Sequence, residues 1–212
     1  MIFTNRQTAG RHLADKLKAC QNDRQAIILG LPRGGVVVAA AVAKKLALPL
    51  DIIVPRKISA PQNPEFAIGA VTLAGEAFLD HGSIVAYGIS DVYLEQSIAA
   101  AKQEAARRQK IYRANRPPLI LKNKTAILVD DGIATGATMR ASLLAVGPQK
   151  PKKIIVAVPV IARDTAQTIK KLVDKLVYLE APDYFGAVGN FYEEFEQTTD
   201  QEVIELLKNH LL

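Results

Sequence analysis

A chain of 212 residues with 49% apolar and 23% charged side chains is long enough for one folded domain with a proper core and too apolar for intrinsic disorder. Its net charge of +6 and pI near 9.4 suit an anionic partner, without choosing between nucleic acid and a small phosphorylated substrate. A lone cysteine, Cys20, excludes an internal disulfide and a cysteine-based zinc cluster, no apolar run reaches the ~18 residues of a membrane span, and "MIFTNRQTAGRHLADKL" lacks the apolar core of a secretory leader, so a cytoplasmic protein without membrane attachment is expected.

In chain order, residues 8–20 predict an amphipathic helix with Leu13 and Leu17 at helical spacing. "QAIILGL" predicts a strand that stops at "PRGG", "VVVAAAVAKKLA" a helix, and "PLDIIVP" a second short strand. "RKISAPQNPEF", with two prolines among polar residues, is expected to be a loop, and "AIGAVTLAGEAFLD" a hairpin. Ser90 is placed to cap a long helix, "DVYLEQSIAAAKQEAARRQKIYR", that ends before Pro117-Pro118. "TAILVD" then reads as a strand, "GATMRASLLAV" as a helix ending at Gly147, "KKIIVAVPV" as a strand, "RDTAQTIKKLV" as a helix and "KLVYLE" as a strand. The closing helix, "TTDQEVIELLKNHLL", carries Thr199 and Glu202 at capping-box spacing.

Almost wholly apolar strands alternating with helices imply an α/β fold, a mainly parallel twisted sheet flanked by helices on both faces. One domain over residues 1–212 is expected, with residues 72–118 inserted as a flap or helical hood because they break the alternation. Ligands of such sheets bind beyond the carboxyl ends of the strands, which turns "PRGG", "PRKISAPQNPE", "DDGIATGAT" and "APDYFGAVGN" into the functional shortlist. The basic concentrations Lys102–Arg116 and Lys150–Lys153 read as solvated faces.

The stretch "AILVDDGIATGAT", residues 126–138, holds the chemistry. Neighbouring strand residues point to opposite faces, so Asp130 and Asp131 share a ligand only if the chain leaves strand geometry, which Gly132 permits. Unpaired buried carboxylates are costly, so they should meet solvent, a metal or hydroxyl donors such as those of a sugar. Thr135 and Thr138, with backbone N–H groups at a helix start, form a phosphate site. A surface Asp-Gly turn followed by a helix cap explains "DDG" as well. The lysine of a P-loop and a GxGxxG fingerprint are both missing, which excludes a P-loop and a nucleotide-binding oxidoreductase.

This stretch closely resembles the hallmark of the type I phosphoribosyltransferases: an apolar strand, two acids, three variable positions, then Thr-Gly-x-Thr. "LPRGG" resembles that family's pyrophosphate loop, "RKISAPQNPEFAIGAV" its mobile catalytic loop, and "APDYFGAVGNFYEEF", within residues 181–198, its C-terminal hood. From about residue 8 onward the chain is similar to a stand-alone bacterial branch of the family.

The resemblance implies transfer of a 5-phosphoribosyl group from phosphoribosyl pyrophosphate to a nucleobase or amine, with release of pyrophosphate. It implies that Asp130 and Asp131 hold the ribose hydroxyls, and that Thr135, Gly136, Ala137 and Thr138 bind the 5-phosphate, with Ile133 and Ala134 lining the turn. Arg33, Gly34, Arg56 and Lys57 would meet the pyrophosphate. Mg2+ would arrive with the substrate, touching Asp130 or Asp131 through water. Enzymes acting on 6-oxopurines usually carry an aspartate where Ala134 stands, so the pattern is closer to the adenine type, and Glu65 is the candidate for proton handling. Phe185, Val188 and Tyr192 are candidates to bind the base, and Arg107, Arg108 and Arg113 to line the mouth. A homodimer is compatible with the family, and no nucleic-acid partner is expected. The competing reading is a regulator that senses phosphoribosyl pyrophosphate and binds nucleic acid. The basic pI supports it, but the first 20 residues have no room for a helix-turn-helix.

Overall fold

The computed structural model describes residues 2–54, 56–71, 77–113 and 116–210, together with all their side chains except those of Pro64, Glu65 and Gln109. The chain divides into two compact units: residues 1–52, 119–135 and 151–212 form the first, and residues 53–118 and 136–150 the second.

The first unit is built on a five-stranded parallel sheet. Its strands are β1 (Ala26–Gly30), β2 (Leu50–Ile52), β6 (Thr125–Val129), β7 (Lys153–Val160) and β8 (Lys175–Glu180), and they lie in the order β2–β1–β6–β7–β8. Every residue of β1 and β6 is buried, as expected of unbroken apolar strands covered on both faces. At the edge, β8 buries only Val177, and its other five residues are partly or fully accessible. Around the sheet lie α1 (Arg6–Lys16), α2 (Gly34–Leu46), α6 (Arg163–Lys170) and α7 (Asp200–Lys208). Asn5 caps α1, accepting from the Thr8 N–H, and the Thr199–Glu202 capping box opens α7 as its spacing predicts.

One register positions the site. Strands β1 and β6 are parallel neighbours with Gly30 opposite Val129, so the loops that follow them leave the sheet side by side. The chain winds from β1 to β2 on one side and from β6 through β7 to β8 on the other. The β1/β6 boundary is therefore the switch point where open α/β sheets bind ligands.

The second unit has a three-stranded antiparallel sheet, β3 (Arg56–Ala60), β4 (Asn63–Val71) and β5 (Ala77–Leu79). It also contains α3 (His81–Ala86), α4 (Asp91–Arg113) and α5 (Ala137–Val146). Leu94, Ala101 and Ala105 of α4 pack on Ile58, Ala60, Ile68 and Val71. The Tyr93 hydroxyl donates to the Ser59 carbonyl at 2.8 Å.

The antiparallel pairing of Gly69–Val71 with Ala77–Leu79 matches the hairpin expected over residues 67–80, whose positions 72–76 lie outside the described residues, and the Ser90-capped helix is present as read. The loop expected over residues 56–66 does not: it is β3, a two-residue turn and the start of β4. Its prolines are compatible with strands because Pro61 sits in the turn, while Pro64 lies on a part of β4 that β5 does not reach. Bulges beside Ser59 break the alternation that would have revealed the strand. The helix α5 ends at Val146 with Gly147 as its C-terminal cap, as read, and a tight turn follows that closes on the left-handed Lys150, at φ 53°.

Candidate active site

Asp130 follows directly on β6, and the two aspartates stand against the beginning of α2. A Cβ added at Gly35 would lie 2.6 Å from Asp130 Oδ1 and 2.8 Å from Asp130 Cα, and one added at Gly34 would overlap Asp131 Oδ2. The glycine pair of "PRGG" thus lets a helix N-terminus approach two carboxylates more closely than any side chain allows. Arg33, the cap residue of α2, makes no side-chain capping bond, so the positive end of the helix faces the acids directly.

Each acid has one oxygen tied to the protein. Asp130 Oδ1 accepts from the Asp131 N–H at 2.9 Å, and Asp131 Oδ2 accepts from Arg6 Nε at 2.7 Å. No side chain of another described residue bonds Asp130 Oδ2 or Asp131 Oδ1, and the two carboxyl groups lie within hydrogen-bond reach of each other. Burial, and secondarily the negative charge of Asp131, push the Asp130 carboxyl well above the usual aspartate range.

The wall behind Asp131 comes from both ends of the chain. The Tyr192 hydroxyl donates to the Asp131 carbonyl at 2.6 Å. The Phe3 N–H donates to the Phe191 carbonyl at 2.8 Å and the Glu193 N–H to the Phe3 carbonyl at 2.9 Å, joining the start of the chain to this C-terminal segment. The Arg6 guanidinium lies 3.8 Å from the centre of the Phe195 ring. Sequence reasoning missed Arg6, Tyr192's hydroxyl and Phe195 in these roles. Asn5 is a helix-cap signal that would have begun α1 at Arg6, but no local pattern ties residue 6 to residue 131.

The other predicted residues are distributed as follows. Arg33 is 40% exposed and stands 3.9 Å from Asp200 in a loose surface pair. Ile133 is buried, its N–H donating to the Val160 carbonyl at 2.9 Å, and the Ala134 carbonyl accepts from the Thr165 hydroxyl at 2.6 Å. Thr135 and Thr138 are exposed, Gly136 is left-handed at φ 77°, and α5 starts at Ala137 without a side-chain cap. Val188 packs directly against the acid loop, since a Cβ at Gly132 would come within 2.6 Å of it. Tyr192 is buried with its ring between Phe3 and Phe195, so its hydroxyl, not its face, meets the acid pair. Phe185 packs on Phe191, with 5.3 Å between ring centres.

Arg56, Lys57 and Glu65 belong to β3 and β4 of the second unit, and the side chain of Glu65 lies outside the described ones. Arg107 and Arg108 bond Glu104 one turn away, and buried Arg113 donates to the Pro117 carbonyl at 2.6 Å. Arg107 and Arg108 thus hold Glu104 on their own helix, and Arg113 ties the end of that helix to Pro117. Among the described residues no three His, Cys, Asp or Glu side chains gather as a metal cage. The two remaining aspartate oxygens are hard donors of the kind Mg2+ takes alongside water and phosphate oxygens, which suits a metal that comes with its ligand.

Comparison with known proteins agrees with this geometry. The family model for the phosphoribosyl transferase domain matches residues 2–195. Two Mycobacterium tuberculosis proteins, "Putative phosphoribosyl transferase Rv0571c" and its counterpart MT0597, are each 37% identical over 206 residues, 97% of this chain. The chain spans about half the length of these curated relatives, 46% of each. The crystal structure of TT1426 from Thermus thermophilus superposes with a TM-score of 0.91 at 39% identity, covering 99% of both chains. No helix among the described residues is long and apolar enough to cross a membrane. The chain belongs to the phosphoribosyl transferase domain family.

Proposed function

We propose that the protein is a phosphoribosyltransferase. It moves the 5-phosphoribosyl group of phosphoribosyl pyrophosphate to a nitrogen of a nucleobase or amine, forming the N–C1 bond as the C1–O bond to pyrophosphate breaks. The observation that carries this reading is the acid pair: two adjacent carboxylates at the switch point of the sheet, each with one oxygen that no other described side chain takes. Two acceptors side by side suit the neighbouring hydroxyls of a ribose.

In this reading Asp130 and Asp131 accept from the ribose hydroxyls and stabilise the positive charge that develops at C1. The turn Thr135–Thr138 binds the 5-phosphate through hydroxyls and N–H groups. Arg33 and Gly34 take the pyrophosphate. Arg33 gives up little to do so, because an exposed pair such as Arg33–Asp200 is worth only ~0–1 kcal/mol. Arg56 and Lys57 are further pyrophosphate contacts, and Glu65 handles the acceptor's proton. Asp130 or Asp131 would hold Mg2+ through water when it arrives with the substrate, and the ion would supply neutralisation of phosphate charge. Alanine at position 134 favours an adenine-type acceptor over a 6-oxopurine, with Val188 and Phe185 bordering the base.

Calorimetry with phosphoribosyl pyrophosphate and Mg2+ tests the proposal. Binding in the micromolar to millimolar range is expected. Asp131→Asn and Arg33→Ala should weaken it, and in turnover each should cost roughly 100- to 1000-fold, the usual loss for one preorganised contact. Absence of binding by the unsubstituted protein would overturn the reading. A pyrophosphate-release screen against adenine, guanine, hypoxanthine, xanthine, uracil, orotate and simple amines identifies the acceptor.

A further inference from the structure

We propose that Arg6 is a positioning residue that pins one oxygen of Asp131 so that the other is presented to the ligand; the role rests on the acid pair being the ribose site. The contacts of Arg6 are what make it a pin. Nε donates to Asp131 Oδ2 at 2.7 Å, Nη1 donates to the Glu196 carbonyl at 2.7 Å, and the guanidinium stacks on Phe195 at 3.8 Å. Its side chain is 11% exposed and that of Asp131 16%. A guanidinium fixed on three sides has already lost its rotamer freedom, so the carboxylate it holds acquires one orientation.

The pairing is single-point. Arginine commonly takes a carboxylate with two parallel bonds, which would consume both oxygens. Here only Nε bonds Asp131, at Oδ2, and the arginine leaves Oδ1 untaken. The Tyr192 hydroxyl fixes the main chain of the same residue at 2.6 Å, so Asp131 is held by its side chain from the start of the chain and by its backbone from the end. Lysine cannot replace this arrangement: it carries the charge but has neither the planar fork that serves Asp131 and Glu196 together nor a flat face for Phe195. The segment Glu193–Glu196 thereby becomes part of what sets the geometry of the acid pair.

The test compares Arg6→Gln and Arg6→Lys with the unsubstituted protein, using ribose 5-phosphate and inorganic pyrophosphate as separate probes in calorimetry. Arg6→Gln should bind ribose 5-phosphate about tenfold more weakly or worse, the scale of one lost charge-assisted bond. Pyrophosphate affinity should hold within about twofold, and Arg6→Lys should recover only part of the loss. Unchanged ribose 5-phosphate binding in Arg6→Gln, or equal losses for both probes, overturns the proposal. A ligand-free readout separates it from the ribose assignment: the Arg6 Nε–H resonance should be slow to exchange with water and should shift in Asp131→Asn. A fast-exchanging Nε–H removes the pin. A slow one in a protein that binds neither probe keeps the pin and removes the ribose reading.

Discussion

The two units handle buried charge in opposite ways. In the first, Arg6 and Asp131 neutralise each other under cover, with a tyrosine hydroxyl and a helix N-terminus closing the arrangement. In the second, the Nε atoms of Arg56 and Arg140 are buried with no hydrogen-bond partner among the described residues, while the clearest pairing, Glu104 with Arg107 and Arg108, sits on the surface of one helix. A buried donor left unmade costs ~1–3 kcal/mol, whereas an exposed pair returns ~0–1. The Arg6–Asp131 pair of the first unit is therefore preorganised, and the second unit carries donors that no described residue satisfies.

The largest effect that would sharpen this contrast is expected at Gly35. Gly35→Ala would bring a methyl within 2.8 Å of Asp130 Cα and 3.0 Å of the Val129 carbonyl, both backbone atoms that cannot swing aside. A loss of ~1–3 kcal/mol in denaturant unfolding is expected, as for other overpacked sites. A neutral result would mean that α2 does not press on the acid loop.

A smaller effect concerns the second unit in acid. The side chains of Arg107 and then Arg108 hold the Glu104 carboxyl at about 2, against an ordinary 4.5. A lowered folded value adds stability above pH 4.5 that disappears as pH falls from there toward 2, because the unfolded chain takes up the proton first. For a surface group the amount is below ~1 kcal/mol. Glu104→Gln should flatten the acid limb of a melting-temperature profile between those limits by about that amount, and an unchanged limb would show the pair to be inert.

The smallest change is expected at Arg140. Arg140→Met keeps the aliphatic stem and deletes an unsatisfied donor, so the melting temperature should stay level or rise slightly. A marked fall would reveal a partner for this guanidinium and erase the contrast between the units.

Much of the first unit was legible from residue pattern. Runs such as "AIILG" and "TAILV" declare buried parallel strands because nothing in them wants water, and the capping residue Thr199 marks a helix start through chemistry that acts within four residues, as Ser90 does in the second unit. The β3–β4 hairpin was not legible: bulges at Ser59 destroy the two-residue period, and the prolines find places only because of how β5 stops short. Tyr192 read as an aromatic surface for a base. Its burial against Phe3 and Phe195 was hidden by separations of 189 and 3 residues, one too long and the other too short to follow any periodicity.

The sequence by itself determined the α/β class, the acid pair, the hydroxyl-bearing turn after it and the glycines of "PRGG", since each is a local statement about hydrogen bonding or backbone approach. Only the tertiary structure decided what surrounds Asp131. Arg6 and Tyr192 reach it from opposite ends of the chain, and that pairing follows from the register of β1 beside β6 and the bridge between Phe3 and Tyr192. A charge–charge contact across 125 residues leaves no periodic trace, because the energy that selects it exists only once the sheet has brought the two segments together.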